Sequence, residues 1–166
     1  MFTSIPEALK ELQNESDATQ KLFKNLTDDS LSQKVYGEGR TLARLAWHIV
    51  TSVVEMMNKT DLKITDVAED APIPATANEI LDAYQKVSAS LLAQVKEKWT
   101  DRSLGEMVNM YGEEWSKSMT LSILMKHEIH HRAQMTVLMR QAGLKVPGLY
   151  GPSKEEWSQY NMPAME

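Results

Sequence analysis

Apolar residues recur with a period near 3.6 in four separate stretches of this chain, and the breaks between them carry residues that end helices. Ile5, Ala8, Leu9, Leu12, Leu22, Phe23 and Leu26 form one stripe, with Glu7, Lys10, Glu11, Asp17 and Lys21 on the wet face. Ser4-Ile5-Pro6-Glu7 sets a capping Ser three residues before a Glu that can reach back to its N–H. Pro6 sits in the first turn, where its missing donor costs nothing. The spacing predicts a first helix from here to about Leu26, before Thr27-Asp28-Asp29-Ser30.

After Tyr36-Gly37-Glu38-Gly39, the positions Leu42, Leu45, Ala46, Ile49, Val53, Met56 and Met57 predict a second helix over residues 40–58. Residues 59–75, with Pro72 and Pro74, are too long for a tight turn and are expected to cross an end of the domain. Thr76-Ala77-Asn78-Glu79 is a second capping box, opening a helix through Ile80, Leu81, Tyr84, Val87, Leu91, Leu92 and Val95 to about Trp99. Residues 100–115 read as irregular around Gly105 and Gly112, with a short extended piece at 107–111. Ser116 or Ser118 caps a fourth helix that runs to Gly143, a left-handed C-terminal cap. Beyond the breaks at Val146-Pro147-Gly148 and Tyr150-Gly151-Pro152, Ser153-Lys154-Glu155-Glu156 is a third capping box, opening a short helix with Trp157 and Tyr160. This aromatic tail is expected to fold back over the helices. Four long amphipathic helices, no internal repeat and no convincing sheet predict an all-α four-helix bundle with a long crossover and a short C-terminal helix.

Composition narrows the function classes. The 166 residues suit one domain, 1–166, able to bury a core without disulfides or structural metal. With no Cys there is no thiolate ligand and no cysteine nucleophile, so any metal site must be built from His, Asp or Glu. The formal charge is −5 and no Lys/Arg cluster marks a phosphate-tracking surface, which argues against a nucleic-acid partner. Neither a signal-like N-terminus nor an 18-residue apolar run occurs, so the expected location is the cytoplasm and no membrane partner is expected.

Candidate chemistry concentrates in the fourth helix, which holds three of the four histidines: His127, His130 and His131. Residues four apart on a helix lie one turn apart, with Cβ atoms roughly 5–6 Å from each other, so His127 and His131 can reach one divalent ion. On a wheel centred on His127, the residues Ile123, Leu124, His130, His131, Gln134 and Leu138 lie within roughly 60°, so the histidines are expected to face the bundle interior. An unsatisfied buried polar group costs on the order of 1–3 kcal/mol, and a metal satisfies two imidazoles at once; bonds to backbone or Gln134 are the alternative. His48 stands roughly 120° from the centre of its helix's apolar stripe, beside Thr41, Arg44, Ser52 and Glu55, and by itself reads as a hydrogen-bonded boundary residue. A second apolar set on the fourth helix, Leu121, Met125, Ile129 and Met139, fits a homodimer interface or packing by the tail equally well.

His127-Glu128-Ile129-His130-His131 also spells H-E-x-x-H, the zincin metalloprotease pattern, with Glu128 as general base and Glu155 or Glu156 as downstream ligand. That reading ranks second, because the surrounding helix is a bundle helix and no upstream strands would hold an extended peptide.

The run His127-x-x-x-His131-Arg132-Ala133-Gln134-Met135 through Leu138-Met139-Arg140-Gln141-Ala142-Gly143 to Pro147-Gly148-Leu149-Tyr150-Gly151, together with Leu45-Ala46-Trp47-His48-Ile49, resembles the signature of the DinB/YfiT-like metalloprotein superfamily. Ala133 stands where that family usually has Gly. The resemblance implies a divalent metal, zinc or nickel above all, held by His48, His127 and His131, with His130 outside the ligand set. It implies a homodimer and a small-molecule substrate, in some members a low-molecular-weight thiol such as bacillithiol, mycothiol or glutathione. The function expected is a metal-dependent transferase or hydrolase that activates water or thiol; a non-catalytic metal-binding stress protein is a further alternative. Three neutral His ligands leave positions open, as in a catalytic site. Gln134 is placed to orient an imidazole, and Arg44 and Glu55 are expected as exposed salt-bridging residues. No residue is assigned as general base.

Overall fold

Each of the four predicted helices forms: α1 Ile5–Phe23, α2 Leu42–Asn58, α3 Ala77–Lys98 and α4 Lys117–Gln141. The computed structural model describes residues 1–164. Ser4 Oγ accepts from the Glu7 N–H at 3.4 Å, but the Glu7 carboxylate reaches past Ser4 to the Thr3 N–H. The Ile5 N–H, another orphan of this helix end, donates to Asp101 Oδ1 at 2.7 Å. The capping box of Thr76 and Glu79 forms in full. Ser116 caps α4, whereas the Ser118 hydroxyl donates to the Phe2 carbonyl. α1 stops at Phe23, short of Leu26, because Thr27 opens a separate 3-10 turn, Asp28–Ser32, through a capping box with Ser30. Leu26 is buried all the same.

At the end of α4, Gly143 is left-handed with φ +75°, and the N–H groups of Gly143 and Leu144 return to the carbonyls of Arg140 and Met139, a Schellman closure. No atom lies within 4 Å of where a Cβ on Gly143 would sit, so Gly143→Ala carries only the backbone penalty. That penalty is about 1–2 kcal/mol, a melting temperature lower by roughly 2–8 °C in a thermal unfolding scan.

α1 packs on α3 and α4, and α2 packs on the same two. Asp61, just after α2, accepts from Trp99 Nε1 and pairs with Lys117 Nζ at 2.9 Å, so α2 ends where α3 ends and α4 begins. At the other end the Ala77 N–H donates to Asp28 Oδ1. α2 and α3 therefore run parallel as neighbours, and the chain between them must travel a helix length, about 25 Å for 17 residues. It lies along the bundle rather than across an end: the Lys63 N–H bonds Gln94 Oε1 near one end, and Trp47 Nε1 donates to the Ala71 carbonyl near the other.

The segment expected to be irregular holds an antiparallel hairpin, β1 Met107–Met110 paired with β2 Glu113–Ser116. Tyr111 and Gly112, at φ +58° and +88°, make its two-residue turn, with positive φ at both positions as the twist of a tight hairpin requires. Beyond α4, the short helix predicted with Trp157 and Tyr160 forms as a 3-10 helix, Trp157–Tyr160. Glu156 reaches back to the Ser153 N–H, but its other oxygen takes the Gly148 N–H, so the box serves a loop. It is Leu144, Val146 and Leu149 that pack on the core, while Tyr160 is exposed. On α4, Leu121, Met125 and Met139 are buried within the chain, while half-buried Ile129 lines a pocket together with Val146, Leu149 and Tyr150 of the returning segment. No helix among the described residues is long and apolar enough to cross a membrane.

Candidate metal centre

α2 and α4 are neighbours running in opposite directions, which sets the second turn of α2 against the middle of α4. His48 Nε2 and His127 Nε2 come within 3.1 Å, and His131 Nε2 lies 3.1 Å from the same His127 atom. One ligand atom from each of the three rings lies within 4.8 Å of the others. For metal–nitrogen bonds of about 2.0–2.1 Å, ligand atoms sit roughly 2.9 Å apart at right angles and roughly 3.3 Å apart at the tetrahedral angle. The two observed 3.1 Å separations fall between, and the third pair lies within 4.8 Å. The donor set fits a borderline divalent cation, and the three rings could hold one.

Charge favours the ligating form. Burial, then the neighbouring histidines, holds His48 and His127 down at about 4; burial also lowers His131, against a Gln134 bond that raises it. All three are therefore neutral at pH 7, as a metal requires. His131 Nδ1 donates to Gln134 Oε1 at 2.8 Å, which fixes the tautomer that leaves Nε2 free. Ser52 Oγ lies 3.4 Å from His48 Nδ1, and His127 Nδ1 is buried with no partner among the described residues.

Of the three α4 histidines expected to face the interior, only His131 is buried; His127 is half-buried and His130 is exposed, its Nε2 accepting from Gln134 Nε2 at 3.1 Å, while His48, read as a boundary residue, is half-buried. A wheel fixes direction around one helix, not where the neighbouring helix leaves an edge; here that edge is the groove between α2 and α4.

The parts of the protease reading point elsewhere. Glu128, about 100° round the helix from His127, turns into the core and accepts from Tyr84 Oη at 2.8 Å and Thr19 Oγ1 at 3.1 Å. Burial pushes its carboxyl up to about 7. Glu155 pairs with Arg140, and Glu156 takes the Gly148 and Ser153 N–H groups. Arg44 and Glu55 form no ion pair within 4 Å among the described residues; Glu55 instead accepts from Tyr111 Oη at 3.0 Å.

A second polar cluster escaped the sequence reading. Arg132, 1% exposed, pairs with the Glu15 carboxylate, donates to the Glu15 carbonyl at 2.7 Å and to Thr19 Oγ1 at 2.8 Å, and reaches Tyr150 Oη. Tyr150 in turn donates to Glu15 at 2.6 Å. Its signal was a gap: between Leu12 and Leu22 the buried face of α1 is made of Glu15, Ser16 and Thr19.

The comparisons with known proteins bear on family and fold. The DinB family matches residues 1–163. The Bacillus subtilis (strain 168) protein YrdA is 44% identical over 164 residues, 99% of this chain and 98% of YrdA. A crystal structure of a DinB-like protein from Bacillus cereus ATCC 10987 superposes with a TM-score of 0.87 at 41% identity, covering 90% of this chain and all of that one. The DinB-like protein YjoA of Bacillus subtilis shares the fold, with a TM-score of 0.67 at 21% identity over 86% of this chain and 97% of that one.

Proposed function

Because the chain belongs to the DinB family, we propose that His48, His127 and His131 hold one divalent transition metal ion, zinc or nickel, and that the site serves a small-molecule transferase or hydrolase reaction. The observation that supports this reading is that one imidazole nitrogen from each of the three rings, on two helices, lies within 4.8 Å of the others, two of the pairs at 3.1 Å. Held by three imidazoles with positions left open, the ion supplies Lewis acidity that makes water or a low-molecular-weight thiol nucleophilic near pH 7. The chain's own groups prepare the site. Burial keeps the rings uncharged, Gln134 holds His131 in the ligating tautomer, and half-exposed His48 and His127 leave an approach from solvent. Glu128 is not offered as the base, since its carboxylate is taken up by Tyr84 and Thr19. The same proposal takes the protein as a homodimer, as the resemblance implies, located in the cytoplasm.

Elemental analysis of untagged protein tests it. About one equivalent of a transition metal is expected, taken up or retained through gel filtration. No retained ion after incubation with Zn²⁺ or Ni²⁺ would overturn the reading.

A further inference from the structure

Beside the three histidines lies a cavity of about 390 Å³ lined by Tyr36, Arg40, Leu45, Gln134, Val137 and Leu138. Its volume is in the range of small-molecule pockets, which pair apolar walls with a few placed polar groups. Gln134 links the two: it lines this cavity and its Oε1 accepts from His131 Nδ1 at 2.8 Å. The walls are mostly apolar and the polar groups are few. Among them Arg40 is the only ionisable cation, exposed and without a carboxylate within 4 Å among the described residues. An unpaired guanidinium presents a planar fork of donors matched to a carboxylate or phosphonate.

Resting on the metal reading above, we infer that this cavity is the subsite for the substrate's acidic group: Arg40 holds the oxyanion of a small organic acid whose apolar body lies against Leu45, Val137 and Leu138, beside the three-histidine centre. Arg40 is then a specificity-determining residue for acids over their neutral isosteres. Tyr36, two-thirds exposed at the cavity rim, is placed to cover the bound body.

The test is calorimetric titration with phenylacetate, its neutral amide phenylacetamide, and benzylphosphonate. Each is run on Zn²⁺-loaded and on chelator-treated protein, for wild type, Arg40→Gln and Arg40→Lys, with metal content measured in every sample. Phenylacetate is expected to bind wild type more tightly than its amide, and Arg40→Gln to lose roughly 10- to 100-fold in phenylacetate affinity with metal content unchanged. Arg40→Lys should recover part of the loss. Stronger binding of benzylphosphonate than of phenylacetate would assign the same subsite to phosphonate-type acids. Equal affinity for acid and amide, or an Arg40→Gln variant that binds as wild type does, would overturn the inference. Arg40-dependent phenylacetate binding to a protein that takes up no metal would defeat the metal reading alone.

Discussion

Replacing His48 by Ala is expected to strip the metal from the protein, weakening its affinity by about 100-fold or more, beyond the 10- to 100-fold cost of losing an outer partner. The reason is geometric. His48 Nε2 lies 3.1 Å from His127 Nε2 and comes from a different helix, so it closes a chelate that α4 alone can only begin. His127→Ala should match it, since its Nε2 is the atom within 3.1 Å of both other rings. His130→Ala should keep the ion, because that ring is exposed and only accepts from Gln134. Gln134→Ala belongs in between, within the 10- to 100-fold range of an orienting partner. A competition titration against a chelator reads all four variants. Metal retained in His48→Ala would remove α2 from the site, and equal loss in His48→Ala, His127→Ala and His130→Ala would mean the ligand set is wrong.

The pair on α4 was legible because an i, i+4 spacing is a local property of any helix. His48 was not, on its own helix: at an edge position beside Arg44 and Ser52 nothing local tells a ligand from a surface residue, and only the antiparallel contact of α2 with α4 brings it to His127. The family resemblance supplied that third position. The two helices of the parallel pair were read correctly one by one, but periodicity carries no information about direction, so the path of residues 59–75 along the bundle could not be seen. The hairpin was half seen. β2 reads Glu113-Glu114-Trp115-Ser116, too polar to announce a strand, and its turn begins with Tyr111 at φ +58° rather than with Asn or Asp. Arg40 passed as the first residue of a helix, because a cavity is formed by elements far apart in sequence.

The buried cluster around Arg132 carries the largest expected effect on stability. Arg132, Glu15, Thr19, Glu128 and Tyr84 form one connected set across α1, α3 and α4, and Tyr150 ties the returning C-terminal segment to it. Arg132→Met leaves the Glu15 carboxylate without its cation and Thr19 without a donor. Removing one partner of a buried pair costs about 3–5 kcal/mol. At roughly 2–4 °C per kcal/mol for a chain of this size, the melting temperature should fall by roughly 6–20 °C. Glu128→Gln should cost far less, about 1 kcal/mol, since the amide oxygen can still accept from Tyr84 and Thr19. It should also retain metal, since the Glu128 carboxylate faces Tyr84 and Thr19 rather than the three histidines. Arg132→Met combined with Glu15→Met removes both charges together and should be less destabilised than the sum of the two single variants, by an interaction energy of about 0.5–3 kcal/mol. Urea unfolding of the three proteins measures it. Additive losses, or an Arg132→Met variant within about 1 kcal/mol of wild type, would show that the pair is not the tie between α1 and α4 that its geometry describes.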